Sequence, residues 1–262
     1  MKKRVIPCIF LKGGMIVRSE NFSIHQLIGN PINQVKRFSD WAADEIIYID
    51  ISTHQIYDNR RDDHMIKISH NKFDLLSEIS KNIFAPFVFG GGIRTIEDIK
   101  NVLQRGADKV VLNTGLYYDK MLLTNAVKIF GSQALVACVD YKGDFVYFEH
   151  GNKKSSYAVR EWCKILESEG IGEILLHNIS RDGKGNGYDI STIQTIVKEI
   201  EVPIIALGGA GDYFDFNECF EEANPSAIAA GNIFHFKEHS YYHVKQSLET
   251  SGINIRKEYG VF

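Results

Sequence analysis

The sequence predicts an α/β fold, a single (β/α)8 TIM barrel built from two repeated half-barrels. Three observations predict it: short apolar runs that do not alternate with polar residues, stretches of helical period between them, and an internal repeat whose parts keep their order. The chain has 262 residues, 44% hydrophobic and 24% charged, enough length and apolar content for one barrel domain. That domain is expected to cover residues 1–262, with half-barrels of 1–120 and 121–262. A doubly wound open sheet is the competing architecture.

The first run is VIPCIFL (5–11), and Asn30-Pro31 then reads as a helix cap followed by proline at the first helical position. The helix so opened, INQVKRFSDWAA, puts Val35, Phe38 and Ala42 on one face. EIIYIDI (45–51) is the second run and FVFGGG (87–92) the third. Thr95, with Glu97 and Asp98 behind it, opens the helix IEDIKNVLQRGA, which ends at Gly106. KVVLNT (109–114) and ALVACVD (134–140) are the fourth and fifth runs, followed by a helix from Val159 to Leu166. EILLHNI (173–179) precedes a helix from Ile190 to Ile200, and PIIALGG (203–209) and AIAAGNI (227–233) complete the set. Uninterrupted Val- and Ile-rich runs of this length are how strands covered on both faces read. No Pro-rich or Ser-rich linker marks a domain boundary.

The repeat aligns IPCIFLKGG (6–14) with VACVDYKGD (136–144), pairing Cys8 with Cys138, Lys12 with Lys142 and Gly13 with Gly143. IIYIDIS (46–52) echoes ILLHNIS (174–180), FVFGGGIRT echoes PIIALGGAGD, and GADKVVLNTGLY echoes NPSAIAAGNIFHF. One mismatch carries chemistry: Phe10 stands where the second copy has Asp140.

A net charge of −3 gives no general attraction to nucleic acid or anionic membranes, so neither is an expected partner. No segment reaches the roughly 18 apolar residues of a membrane span. The basic start MKKR is followed by a run broken at Pro7, Lys12 and Gly13, without a small-residue cleavage site, so a cytoplasmic protein is expected. Cys8, Cys138, Cys163 and Cys219 are far apart, read as reduced thiols, and lack the spacing of a zinc site; no metal and no cofactor are expected.

Reacting groups of such barrels sit at the C-terminal ends of strands. Asp50 and Asp140 end the second and fifth runs, and Asp182 lies in the loop after the sixth. Taken singly, an aspartate there is more often a helix cap than a catalyst; three at one mouth point to proton transfer. Glycine-rich turns follow the third run (Gly90-Gly91-Gly92) and the seventh (Gly208-Gly209-Ala210-Gly211). The next run of each half ends in Asn113-Thr114 or Gly231-Asn232. Each half thus offers one anion cradle, and two cradles suit a substrate with phosphate at both ends. Glycines serving tight turns alone are the plainer reading.

The stretches RVIPC, FGGGI, RGADKVVLNT, FGSQALVACVD, GEILLHNISRDGKGNGYD, PIIALGGAGD and IFHF, in this order between residues 4 and 236, resemble the cyclase subunits of imidazole glycerol phosphate synthase, in the histidine-biosynthesis barrel family. The resemblance implies a heterodimer with a glutaminase, whose ammonia is used to cleave a bis-phosphorylated ribulosyl formimino carboxamide nucleotide. It implies two catalytic aspartates, of which Asp140 matches the second while Phe10 occupies the place of the first, leaving Asp50 as the substitute. Arg18 replaces the loop lysine, Ser180 replaces a loop acid, and Gly92, Asn113, Thr114, Asp182, Gly183 and Gly209 match phosphate-binding positions, with Gly231 and Asn232 in the altered fourth turn. Arg4, Glu45, Lys109 and Glu173 match a charged ring gating an ammonia channel, and Asp44 and Asp108 match positions where the glutaminase docks. Three readings follow: the cyclase itself; a diverged paralogue passing ammonia on for amidine formation on a nucleotide-activated sugar of a surface glycan, with an ATP-using amidotransferase as further partner; and a non-catalytic scaffold that activates its glutaminase.

Overall fold

Eight strands run parallel and close on themselves in a computed structural model that describes residues 2–53, 71–236 and 239–257. The strands of the whole sheet are β1 (Arg4–Lys12), β2 (Met15–Glu20), β3 (Ile24–Gly29), β4 (Ile46–Asp50), β5 (Phe87–Gly90), β6 (Lys109–Leu112), β7 (Leu135–Lys142), β8 (Phe145–Phe148), β9 (Lys153–Ala158), β10 (Glu173–Asn178), β11 (Ile204–Leu207) and β12 (Ala227–Ala230). The barrel path is β1-β4-β5-β6-β7-β10-β11-β12, and β12 returns to β1 with Arg4 opposite Ala227. All eight predicted runs fall on these eight strands.

Helices α1 (Pro31–Asp40), α2 (Lys72–Ser80), α3 (Ile96–Gln104), α4 (Thr114–Tyr118), α5 (Leu122–Phe130), α6 (Val159–Ser168), α7 (Ile190–Glu199), α8 (Tyr213–Glu218), α9 (Ile233–Phe236) and α10 (Ser240–Thr250) lie between or after them. The Asn30 side chain accepts from the N–H groups of Ile32 and Asn33, so α1 starts where the Asn-Pro pair predicts. It ends sooner than its apolar period suggests. Trp41 caps it, and Ala42 turns to φ 51°, outside the helical face that Val35 and Phe38 share. Thr95 and Asp98 form a reciprocal capping box on α3, and Gly106 follows at φ +99°.

Two hairpins were not expected. β2 and β3 follow β1, and β8 and β9 follow β7, where the reading foresaw loops. Their registers repeat: β1 meets β2 antiparallel with Phe10 opposite Val17 and Lys12 opposite Met15, and β7 meets β8 with Asp140 opposite Tyr147 and Lys142 opposite Phe145. Phe10 and Asp140 therefore hold the same place in the two halves. The turn glycines, Gly13 at φ +60° and Gly143 at φ +54°, occupy the left-handed region that glycine tolerates.

Period-two alternation divides the core into two. Ile6, Cys8 and Phe10 of β1 pack with Ile47, Val88, Val111, Val136, Cys138 and Leu175 inside the barrel. Val5, Ile9 and Leu11 pack with helix residues such as Val35 and Phe38 outside it. Both faces of each barrel strand are thus buried, which is why the runs do not alternate in hydrophobicity. Among the described residues, no helix is long and apolar enough to cross a membrane.

Candidate functional site

The same alternation sets four charges across the N-terminal end of the barrel. Arg4, Glu45, Lys109 and Glu173 each precede by two residues an inward-facing apolar residue: Ile6, Ile47, Val111 and Leu175. They close a ring. Arg4 contacts Glu45 and reaches Glu173 Oε1 at 3.1 Å, and Lys109 Nζ lies 2.8 Å from Glu45 Oε1 and 3.1 Å from Glu173 Oε2. Burial works against the Arg4 charge, but the two glutamates outweigh it and raise its pKa. Beside the ring, Asp108 is exposed and caps the Phe87 N–H at 2.8 Å. Asp44 is buried: it pairs with Lys245 at 2.7 Å and accepts the Val5 N–H at 2.9 Å, so its carboxylate faces into the chain.

At the C-terminal end, β7 and β10 place Asp140 level with His177, while β1 and β4 place Phe10 level with Ile49. One half presents a carboxylate and an imidazole; the equivalent places of the other half hold two apolar side chains. Asp140 accepts from Asn113 Nδ2 at 2.7 Å and from the Cys138 thiol at 3.3 Å, and pairs with His177 Nδ1 at 2.8 Å. On the far side of the imidazole, Nε2 stands 3.8 Å from Asp182 Oδ1. Burial disfavours charge on His177, but the hydrogen bond to Asp140 and the nearby carboxylates of Asp140 and Asp182 overcome it and raise the pKa to about 9. Phe22 meets His177 edge-on at 5.1 Å, and the Phe10 ring lies 5.8 Å from it.

Asp50, the carboxylate expected to stand in at Phe10, falls on the other phase of β4. Ile47 and Ile49 face the interior, whereas Asp50 follows Ile46 and Tyr48, which pack toward the helices. Its Oδ1 accepts the Ser52 N–H at 2.9 Å. It still reaches the wall of the cleft above the barrel, about 890 Å³, which Phe10, Gly92, Asn113, Thr114, Asp140 and His177 also line.

The first cradle is open to this cleft and carries a cation that the sequence did not flag. Lys72, at the start of α2, donates to the carbonyls of Gly91 and Gly92 at 3.1 and 2.8 Å, and Arg94 stands on the same wall. Thr114 is engaged within the chain, its Oγ1 accepting the Glu149 N–H at 3.1 Å.

The second group is not part of the cleft wall, although Asp182 stands beside His177. Arg18, Asp182, Gly183, Gly209, Gly231 and Asn232 do not line the cleft. Arg18 lies 3.8 Å from Glu20, and Asn232 ties down the backbone of Ser19 by donating to its carbonyl at 2.8 Å. A Cβ on Gly183 would fall 1.9 Å from the Ser19 carbonyl, one on Gly209 2.0 Å from that of Gly187, and one on Gly231 2.8 Å from that of Cys8. Close backbone packing therefore accounts for these glycines. Gly183→Ala, with φ +70° and that collision, is expected to cost about 2 kcal/mol or more in urea unfolding. An unchanged midpoint would refute the packing account.

Cys138, Asp140 and His177 bring three potential metal-donor atoms within 4.8 Å of one another. Burial first and the Asp140 charge second push the Cys138 thiol well above its ordinary range. With that thiol protonated and His177 cationic, the three share protons and act as a hydrogen-bonded cluster around Asp140.

Sequence reasoning missed His177, Cys138, Phe22 and Lys72. His177 was within reach: in the aligned runs EIIYIDI and EILLHNI it stands opposite Ile49, the same apolar-for-polar exchange that exposed Phe10 against Asp140. Lys72 offered no such signal.

The model of a family described as histidine biosynthesis protein matches residues 4–240. A protein named imidazole glycerol phosphate synthase subunit HisF from Hydrogenobaculum sp. (strain Y04AAS1) is 36% identical, over 98% of this chain and 99% of its own length. Proteins of the same name from Natranaerobius thermophilus and Leptospira biflexa are 33% and 35% identical, each over 98% of this chain and 99% and 98% of theirs.

Proposed function

The chain belongs to the histidine biosynthesis protein family, and from that membership we propose that it receives ammonia from a glutaminase at the N-terminal end of its barrel and delivers it to the mouth at Asp140. Its relatives carry the name of the subunit that makes imidazole glycerol phosphate, and a cyclase-like barrel working in a heterodimer is the reading their likeness supports. The repeated hairpin register supports one domain descended from two half-barrels, although residues 1, 54–70, 237–238 and 258–262 lie outside the described part.

The observation that carries the proposal is the intact charged ring. Its members are mostly removed from water, and buried ion pairs add little to stability over apolar residues of similar volume. A ring of long side chains can open by moving one of them, and a small neutral molecule needs no wider path. Asp108, exposed beside the ring, is the carboxylate available to a docking glutaminase, while Asp44 acts from inside by fixing Lys245 and β1.

The mouth favours a second, finer reading. Phe10 and Ile49 leave one side without a group that can exchange a proton, while ammonia-handling charges persist below. That combination supports a diverged paralogue, handing ammonia to another acceptor such as a nucleotide-activated sugar held by an ATP-using amidotransferase, over the bis-phosphate cyclase. A scaffold that only activates the glutaminase would need neither the Asp140–His177 pair nor Lys72 at the first cradle.

The test is to co-purify the chain with candidate glutaminases and measure glutamine hydrolysis with and without it. Lys109→Met leaves Glu45 and Glu173 with Arg4 alone and is expected to raise glutamine hydrolysis per product amidated several-fold. Loss of stability with coupling unchanged would reduce the ring to a structural part and remove the proposal.

A further inference from the structure

Cys138, Asp140 and His177 bring a thiol, a carboxylate and an imidazole together on two paired strands. Cys138 and Asp140 stand two residues apart on β7, and His177 is level with Asp140 on β10. All three are buried, and all three line the cleft. Their donor atoms converge on one oxygen. The Cys138 sulfur lies 3.3 Å and His177 Nδ1 2.8 Å from Asp140 Oδ1, and the three donors fall within 4.8 Å of one another. A tetrahedral zinc ion with bonds of about 2.0–2.3 Å keeps its donors roughly 3.3–3.6 Å apart. Two neighbouring strands therefore hold these donors near that spacing.

We propose that Cys138, Asp140 and His177 form a binding site for one zinc ion, with the fourth coordination position turned to the cleft. The donor types select the metal. Magnesium and calcium take oxygen ligands, whereas a set that mixes thiolate with imidazole suits zinc. Thiolate and carboxylate together cancel the charge of the ion, as a buried place requires. In the metal-free chain protons hold the cluster. Zinc displaces the thiol proton and the Nδ1 proton, and leaves Nε2–H on the imidazole.

The surroundings support the three ligands. Asn113 Nδ2 donates to Asp140 Oδ2 at 2.7 Å, which leaves Oδ1 to the metal. Beyond the imidazole, Asp182 Oδ1 stands 3.8 Å from Nε2. Nε2 and Asp182 Oδ2 are both buried with no hydrogen-bond partner among the described residues. A ligating histidine ordinarily donates its other N–H to a carboxylate. An approach of roughly 0.6–1 Å would close that bond. Phe10 and Phe22 wall the imidazole with apolar surface. The other half-barrel lacks the set: Cys8 faces the interior there, but Phe10 and Ile49 take the places of Asp140 and His177. The site stands apart from ammonia delivery, and its test needs no glutaminase.

The experiment titrates cobalt(II) chloride into the reduced, tag-free full chain after chelator treatment and records the absorbance. A thiolate-to-cobalt charge-transfer band should appear in the near ultraviolet, saturate at one ion per chain and vanish when zinc is added. Cys138→Ser should remove the band, and Cys8→Ser, its counterpart in the other half, should keep it. Asp182→Asn should keep the band and weaken zinc about 10–100-fold in competition with a chromophoric chelator. Absence of the band in the unmodified chain would overturn the proposal, leaving the three residues a hydrogen-bonded cluster only. So would a band that survives in folded Cys138→Ser or one that Cys8→Ser removes. Should Cys138→Ser not fold, the Asp182→Asn competition decides, and an unchanged zinc affinity there counts against the site.

Discussion

Replacing Phe10 with aspartate is expected to raise turnover of the family's bis-phosphorylated substrate with ammonium salts by about 10²–10⁴-fold, the usual worth of a positioned acid or base. The place is prepared for it. Phe10 sits where the other half carries Asp140, with the same hairpin register above it. The new carboxylate would stand near His177, whose ring lies 5.8 Å from the present phenyl group. The cost is local: the edge-on contact of Phe10 with Phe22 at 5.4 Å is lost, and a third carboxylate joins Asp140 and Asp182. The imidazolium offsets part of that repulsion. Steady-state measurement on the two proteins decides the matter. Ordinary cyclase turnover in the unmodified chain would contradict the role given to position 10.

The second large effect is on stability. His177 has a folded-state pKa of about 9 against 6.5 for an ordinary imidazole, so the folded chain holds this proton more tightly than the unfolded one. The contribution is complete below pH 6.5 and is lost as pH rises through about 9. A shift of that size corresponds to roughly 3 kcal/mol. Urea unfolding between pH 6.5 and 9 should therefore show a falling stability, and Asp140→Asn, which removes the main partner, should flatten the curve. The other displaced histidines do not imitate this. Burial pushes His235 down to about 4 and lowers His25, so both act at the acid end. A flat curve in the unmodified protein would show that His177 is neutral.

Much of this was legible in the sequence because it is local or periodic. Eight apolar runs became eight barrel strands, since covering on both faces leaves a compositional mark wherever it happens. The ring was legible because the resemblance named its members, which lie at strand starts in phase with the interior. The hairpins after β1 and β7 were not, although both copies of the Lys-Gly turn were in view. Their outer strands, β3 and β9, pair on one side only and leave mixed exposure, as in β3, where Ile24 and Leu27 are exposed.

Chain order, hydrophobic period and the internal repeat thus determined the barrel and the equivalence of Phe10 and Asp140, whereas the charged ring was implied by the resemblance alone. The tertiary structure decided which carboxylates matter. Asp50 and Asp140 both end predicted strand runs and both line the cleft, yet Asp50 lies one step out of phase with the interior and accepts the Ser52 N–H, while Asp140 pairs with His177. Asp44 and Asp108 both precede strands, yet one is sealed against Lys245 and the other stands in solvent. The glycines of the second half read as a phosphate cradle, and in the fold each also lies against backbone, at Ser19, Gly187 and Cys8. A residue's type is written in the chain, but its facing, its partners and its proton affinity depend on groups far away in sequence. His177, flanked by Asp140 and Asp182 and roofed by Phe10 and Phe22, takes its character from contacts that only the closed barrel brings together.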